Sequence, residues 1–270
     1  MTTAPQQDSG MWNRFDKRDN IRRYGTALVG LAILIVSWRV MNVNYEYLLT
    51  AHYEIYDLLY RMVPPDLGYV NEIASPLIET IHMSIMGTAL SIIVSVPIAY
   101  LAANNVSPHW TLVYFGKFII SVTRSISAII WALIFVVMFG PGALAGIFAL
   151  AVRSIGFIGK LLSEAIEEID PIPVEAVTAT GGNKIDVFVY GIVPQIKPAF
   201  IGMSTYRWDI NIRQATVLGL VGAGGIGLVL DSAITRLYWP GVTTILLSIL
   251  LIVIFSEGIS AYLRKKIGGV

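Results

Sequence analysis

No Asp, Glu, Lys or Arg interrupts the chain between Glu79 and Lys117. A helix needs only roughly 20 apolar residues, at about 1.5 Å each, to cross a hydrocarbon core of about 30 Å, so an uncharged run of this length points to a bilayer. The remainder agrees: 55% of the 270 residues are hydrophobic and 14% are charged, with a mean hydropathy of +0.68. No soluble core of this size hides that much apolar surface. Six stretches are long enough to span: Tyr24 to Met41, Leu77 to Ala103, two within Leu112 to Leu162, Gln195 to Leu220, and Pro240 to Leu263. The block from Leu112 is too long for one span, and Gly140-Pro141-Gly142 divides it as a tight turn. The expected fold is therefore all-α, a polytopic membrane protein of six transmembrane helices.

Charge sets the orientation, because loops rich in Lys and Arg stay cytoplasmic. Residues 1–23 form a basic tail with Arg14, Lys17, Arg18, Arg22 and Arg23, and residues 264–270 carry Arg264, Lys265 and Lys266. Both ends are expected inside. Residues 24–76 comprise the first span and an external loop with Glu46, Glu54, Asp57, Asp66 and Glu72 against Arg61, and with tyrosines at 45, 47, 53, 56 and 60 that suit the headgroup level. The tail could also be the start of a secretory signal, but Ser37 to Asn42 offers no small-residue cleavage site, so the first span is read as retained. Residues 77–263 then form the main transmembrane domain, with a long cytoplasmic loop over 164–194. Cysteine is absent, which removes disulfides and thiolate chemistry, and His52, His82 and His109 are scattered, so no metal site is expected.

Within that loop Pro171 and Pro173 start a helix, Glu175 suits its positive end and Gly181-Gly182 stops it. A helix of roughly two turns, about 12 Å long, does not hold itself together in water, so it is expected to dock on another protein. Here the sequence resembles the membrane subunits of type I ATP-binding-cassette importers, whose cytoplasmic signature reads Glu-Ala-Ala, three residues, Gly, nine residues, Ile, one residue, Leu-Pro. Glu175, Ala176, Gly181 and Pro194 fall in register and Ala179 adds a small position, whereas Val177, Gly191 and Val193 depart from the pattern. The resemblance, from about Glu79 to Leu263, implies a type I permease core in a bacterial inner membrane. It also implies two copies of a separate ATPase that hold the ATP and Mg, an external substrate-binding protein, and a second copy of this chain, with lipid around them. The chain itself contains no G-x-x-x-x-G-K-[ST] phosphate loop, so it is expected to bind no cofactor and to be no enzyme on its own.

Gly222, Gly224 and Gly227 satisfy the spacing of a dinucleotide-binding turn. That fingerprint requires a preceding strand and a later acidic partner, and this one follows a membrane helix. With Gly225, these glycines are read instead as a close backbone approach, a turn or gate at the outer end of the fifth span. Nothing points to nucleic acid.

Cargo chemistry is read from ionisable groups inside the spans, where a charge costs about 2.5 kcal/mol or more and survives facing a cavity or a partner. These are Arg124, Arg153, Arg207, Asp209 and Arg213. Asp209 and Arg213 are four residues apart and can pair, while Arg207 lies about 200° round the helix and has no evident partner there. Excess arginine suits an oxyanion, since the guanidinium fork meets two oxygens at once. The stretch from Tyr206 to Gly227, with both arginines, Asp209, Asn211 and the glycine run, resembles phosphonate importer permeases and their phosphite-carrying relatives. It implies a small phosphorus oxyanion as cargo: phosphonate, phosphite or phosphate. The alternatives are another small solute carried by the same class, or an ion-coupled secondary anion transporter. The latter would be expected to show inverted repeats, and none is visible. A membrane enzyme would need a nucleophile or paired acids at depth, which a single Asp209 does not supply.

Overall fold

The structure, a computed structural model, describes residues 17–41 and 44–267, with side chains described from 21 to 41 and from 44 to 266. Arg14 lies outside the described residues, as do the side chains of Lys17 and Arg18. The chain divides into two compact units, residues 1–57 and 58–270. In the first, helix α1 (Lys17–Val40) includes an apolar window, Ile21–Val40, long enough to cross a membrane. The expected external loop is largely a second helix, α2 (Tyr45–Met62), whose first turn is capped by Asn44. Its polar residues Glu46, Thr50, Glu54, Asp57 and Arg61 recur every three or four positions and so share one face.

The second unit holds α3 (Val70–Ala102), α4 (Trp110–Ser125), α5 (Ala128–Phe139), α6 (Ala143–Glu167), α7 (Pro171–Ala179), α8 (Val193–Leu218), α9 (Ile226–Thr235) and α10 (Trp239–Ile267). A short turn, Lys184–Asp186, and a π-helical segment, Val187–Ile192, lead into α8. Helix α3 begins seven residues before the expected span and packs along α6. It buries Thr80, Ser84, Thr88, Ser91 and Ser95. Their hydroxyls return to carbonyls of the preceding turn, as in Thr80 to Pro76 at 2.9 Å and Ser91 to Thr88 at 2.7 Å, so small polar residues are buried without orphaned donors. Met83, Leu150 and Leu218 fill the core between α3, α6 and α8.

Hydrogen bonds define the two ends of the bundle. At one, the Glu167 carboxylate accepts from the Asn104 backbone at 2.9 Å, and the Asn105 amide reaches the Ile166 carbonyl at 2.7 Å. At the other, the Gly142 amide donates to Gly222 at 2.9 Å and the Ile226 amide to the Thr80 hydroxyl at 2.8 Å. The expected third span differs from a single rod: α4 and α5 meet at a 92° bend. Ile126 and Ser127 are extended there, and the Ser127 hydroxyl caps α5 at Ile130. Lys117 of α4 lies 3.8 Å from Glu167 at the first end, while α5 runs into Gly140–Gly142 at the second. Counted as one span, the bent pair raises the helices long and apolar enough to cross a membrane from five to six among the described residues.

Beside the second end, the Tyr238 hydroxyl donates to the Asp66 carboxylate. That bond, helped by the Gly68 and Tyr69 amides, holds Asp66 below the ordinary carboxylate range. A lowered folded value makes the contribution present above the ordinary pKa and lost as pH falls through the lowered one. Tyr238→Phe should therefore move the acid-side change in Trp239 fluorescence to higher pH. An unmoved profile would remove the role of this bond.

Candidate functional site

Helix α7 forms as its sequence requires. Pro171 occupies the first turn, where a missing N–H costs nothing, and the Asp170 side chain caps it by accepting from the Ile172 amide at 2.9 Å. Gly181, at φ +82°, closes the other end as its amide meets the Thr178 carbonyl at 3.0 Å. One expectation changes: Glu175 sits beyond the first turn, and the carboxylate at the positive end is that of Asp170. Val174 faces inward against Gly191, where a Cβ would lie 3.3 Å from the Val174 Cα. Glu175, Ala176 and Ala179, together with Ile172, are left exposed on the outer face. Gln195 ties the assembly together. Its side-chain oxygen accepts from the Asp170 amide at 2.9 Å, and its nitrogen donates to the carbonyls of Asp170 at 3.2 Å and Gly191 at 2.8 Å. Pro194 stands in the first turn of α8, so α7 is strapped to the start of a long helix.

The ionisable residues of α8 do not converge on one point. Arg207 is buried. It donates from Nε to the Ser154 hydroxyl at 2.7 Å and from Nη2 to Gln214 at 3.2 Å, and it lies 5.3 Å over the Phe157 ring. Its helix does supply a partner, two turns on at Gln214, which a search at three or four residues misses. Asn211 is fully buried one turn further along that face, with its amide on Thr88 at 2.8 Å and Ser154 at 3.0 Å. These two side chains pin α8 to α3 and α6. On the other side of α8, Asp209 pairs with Arg213 as the spacing predicts, and it also accepts from Ser256 of α10 at 2.7 Å. Arg153 is half-buried on α6, and Arg124 is exposed in the last turn of α4.

The half-exposed Arg213 lines a cleft of about 370 Å³ with Gln214, Ile210 and the start of α5, Ser127 to Ile129. The 92° bend is what places that helix start there. A helix N-terminus presents unpaired N–H groups and roughly half a positive charge, so a guanidinium and a positive dipole end face one space. Such a cleft suits an anion.

A family model for binding-protein-dependent transport system inner membrane components matches residues 95–269. The chain belongs to this family. It is 37% identical over 239 residues to the "Phosphite transport system permease protein PtxC" of Stutzerimonas stutzeri, covering 88% of this chain and 87% of the relative. It is 36% identical over 251 residues to the "Phosphate-import permease protein PhnE" of Mycolicibacterium smegmatis (strain ATCC 700084 / mc(2)155), covering 93% of this chain and about half of that longer relative, 47%. Among solved structures, "Inward facing conformations of the MetNI methionine ABC transporter" superimposes with a TM-score of 0.64 at 19% identity, over 75% of this chain and 99% of that one, which establishes the permease fold.

The permease's glycine run is a backbone device. Gly222, Gly224 and Gly225 have φ of +84°, +81° and +71°, and the Gly225 amide donates to Glu79 at 3.3 Å. Gly227 opens α9 against the end of α8, where a Cβ would fall 2.1 Å from the Thr216 carbonyl oxygen. Three features were not read from the sequence: Gln195, Asp170 and the Ser154–Gln214 pair that holds Arg207. Gln195 adjoins Pro194 and Asp170 precedes Pro171, so a proline-anchored helix start was the signal available for two of them.

Proposed function

We propose that this permease conducts a small phosphorus oxyanion, of the phosphonate, phosphite or phosphate class, into the cell as part of an ATP-driven importer. The observation that carries this reading is the cleft where Arg213, Gln214 and the start of α5 converge. Its charge suits a tetrahedral oxyanion, and two relatives are named for phosphite and phosphate transport. Two copies of the permease enclose the path, a binding protein delivers the anion outside, and two ATPase copies carrying ATP and Mg dock on α7. The basic tails over 1–23 and 264–270 support a cytoplasmic position for both termini and for the coupling loop 164–194, with 77–263 as the permease domain. The Gly222–Gly227 turn then lies outside, as a gate or hinge of the path.

Motion reaches the cleft through α8. Arg213 stands 18 residues beyond Gln195, about 27 Å at 1.5 Å per residue. A push on α7 at the Gln195 strap therefore moves a stiff lever whose far end carries Arg213 past the start of α5. The Asp209 pair keeps Arg213 from holding an anion tightly, which favours release. Arg207 and Asn211 keep the lever aligned, and Arg153 and Arg124 extend positive potential toward the α7 end.

The test is ATP-driven uptake of phosphite and phosphate in proteoliposomes containing the ATPase and the binding protein. Arg213→Gln should reduce the uptake rate roughly tenfold, as expected for loss of a charge-assisted contact of about 1.5 kcal/mol, without reducing ATPase co-purification. Unchanged uptake would return Arg213 to a structural role. Uptake that needs no ATPase would end the importer reading.

A further inference from the structure

A second basic site lies away from this cleft, in the seam between α4 and α6. Lys117, Ser121 and Arg124 repeat at four and seven residues along α4, and Lys160, Ser163 and Glu167 repeat at three and seven along α6. Each set therefore occupies one helix face, and together they line a pocket of about 180 Å³. That is several times the roughly 30 Å³ one water takes up in the liquid. The pocket lies on the α7 side of the α4–α5 bend, whereas Ser127 and the Arg213 cleft lie beyond it.

The charges in the seam do not cancel. Glu167 is shared: it accepts from the Asn104 backbone at 2.9 Å and side chain at 2.7 Å, and stands 3.8 Å from Lys117. Lys160 pairs with Glu164 at 2.7 Å, an exposed contact of little worth. Arg124 belongs to none of the ion pairs among the described residues, and Arg153 adds a fourth cation two turns before Lys160 on the same face of α6. Two helices thus bring three cations to one pocket against two committed carboxylates. Gly156 fixes the approach, because a Cβ there would lie 2.4 Å from the Thr123 hydroxyl and 2.6 Å from the Arg124 Cγ. Lys117 and Arg124 are exposed and Lys160 is half-exposed, so the seam opens at the bundle surface, where an anion seated between them offsets their mutual repulsion.

We infer that this seam is a second oxyanion site, binding a phosphate-type group through Arg124, Lys117 and Lys160. The guanidinium takes two oxygens and the ammonium groups act as point charges on the others. The phosphate group comes either from free inorganic anion reaching the α7 end or from a phospholipid headgroup beside the helices. The site does not rest on the transport reading, and its failure leaves the Arg213 uptake experiment intact.

The test uses the full chain in dodecyl maltoside, checked for a monodisperse elution peak. One arm titrates inorganic phosphate by calorimetry, and the other counts retained phosphatidylglycerol by native mass spectrometry. The Arg124→Gln, Lys160→Gln double variant should weaken one of the two at least tenfold, and the arm that responds identifies the source. Arg124→Lys, which keeps the charge but loses the fork, should fall between. If the double variant elutes as aggregate, Lys160→Gln alone, at a half-exposed surface position, carries the test with a smaller loss. Affinities within twofold of the parent in both arms overturn the site.

Discussion

Glu175→Arg is expected to abolish ATP-driven uptake while leaving the permease folded and inserted. Glu175 is exposed, and among the described residues its side chain makes no hydrogen bond or ion pair. The fold loses nothing with it. Its neighbours on the outer face, Ala176 and Ala179, are small enough to let another protein approach closely, while Val174 holds the inner face against Gly191. Reversing a charge at the centre of such a contact costs about 3 kcal/mol or more, roughly a hundredfold in docking. Uptake and ATPase co-purification should fall together, with the detergent elution profile of the permease unchanged. Gln195→Ala should separate these readouts: the ATPase still docks, but uptake falls because the strap from α7 to α8 is cut. Normal uptake by Glu175→Arg would remove α7 as the docking element.

The sequence made the spans legible because the bilayer imposes a length and a polarity that few other environments demand. Leu77 to Ala103 runs one residue past the end of α3, to its C-cap, and Pro240 to Leu263 is contained within α10. The bend at Ser125–Ser127 was not legible, since no proline or glycine marks it. Its visible correlate is on another helix, where Gly156 lets Thr123 and Arg124 come close. Helix α2 was hidden for a different reason. Its tyrosines and acids read as a polar loop, and only the three- and four-residue spacing of Glu46, Thr50, Glu54, Asp57 and Arg61 shows the helical period.

The polar residues divided in the same way. The Asp209–Arg213 pair is local, four residues apart, and was read correctly. Arg207 was not, because its partners are Ser154, 53 residues away, and Gln214, two turns on. Asn211 shared a motif with the arginines, yet its amide is used within the bundle by Thr88 and Ser154. A motif gives the residue types; which of them face a cleft is decided by helices distant in sequence.

Gly227→Val should prevent the permease from reaching a stable fold. The backbone of α9 touches the end of α8 here: a Cβ on Gly227 would sit 2.1 Å from the Thr216 oxygen and 2.8 Å from the Gly219 Cα. A Cβ on Gly219 would in turn sit 2.5 Å from the Gly227 Cα. Every one of these obstacles is backbone, so no rotamer change relieves them, and the penalty should exceed the upper range of ordinary overpacking, about 3 kcal/mol. Separating the two helices would also strain the Ile226 amide bond to Thr80 and the Gly225 bond to Glu79, which tie this turn to α3. Gly202→Ala supplies the contrast, because nothing lies within 4 Å of its Cβ and it occupies a helix interior. That change should be neutral or add about 0.5–1 kcal/mol. In detergent, Gly202→Ala should keep or raise the parental melting midpoint, while Gly227→Val should elute as aggregate. Comparable monodisperse yields from the two variants would mean that α8 and α9 do not meet backbone to backbone, and the glycine run would lose its geometric reason.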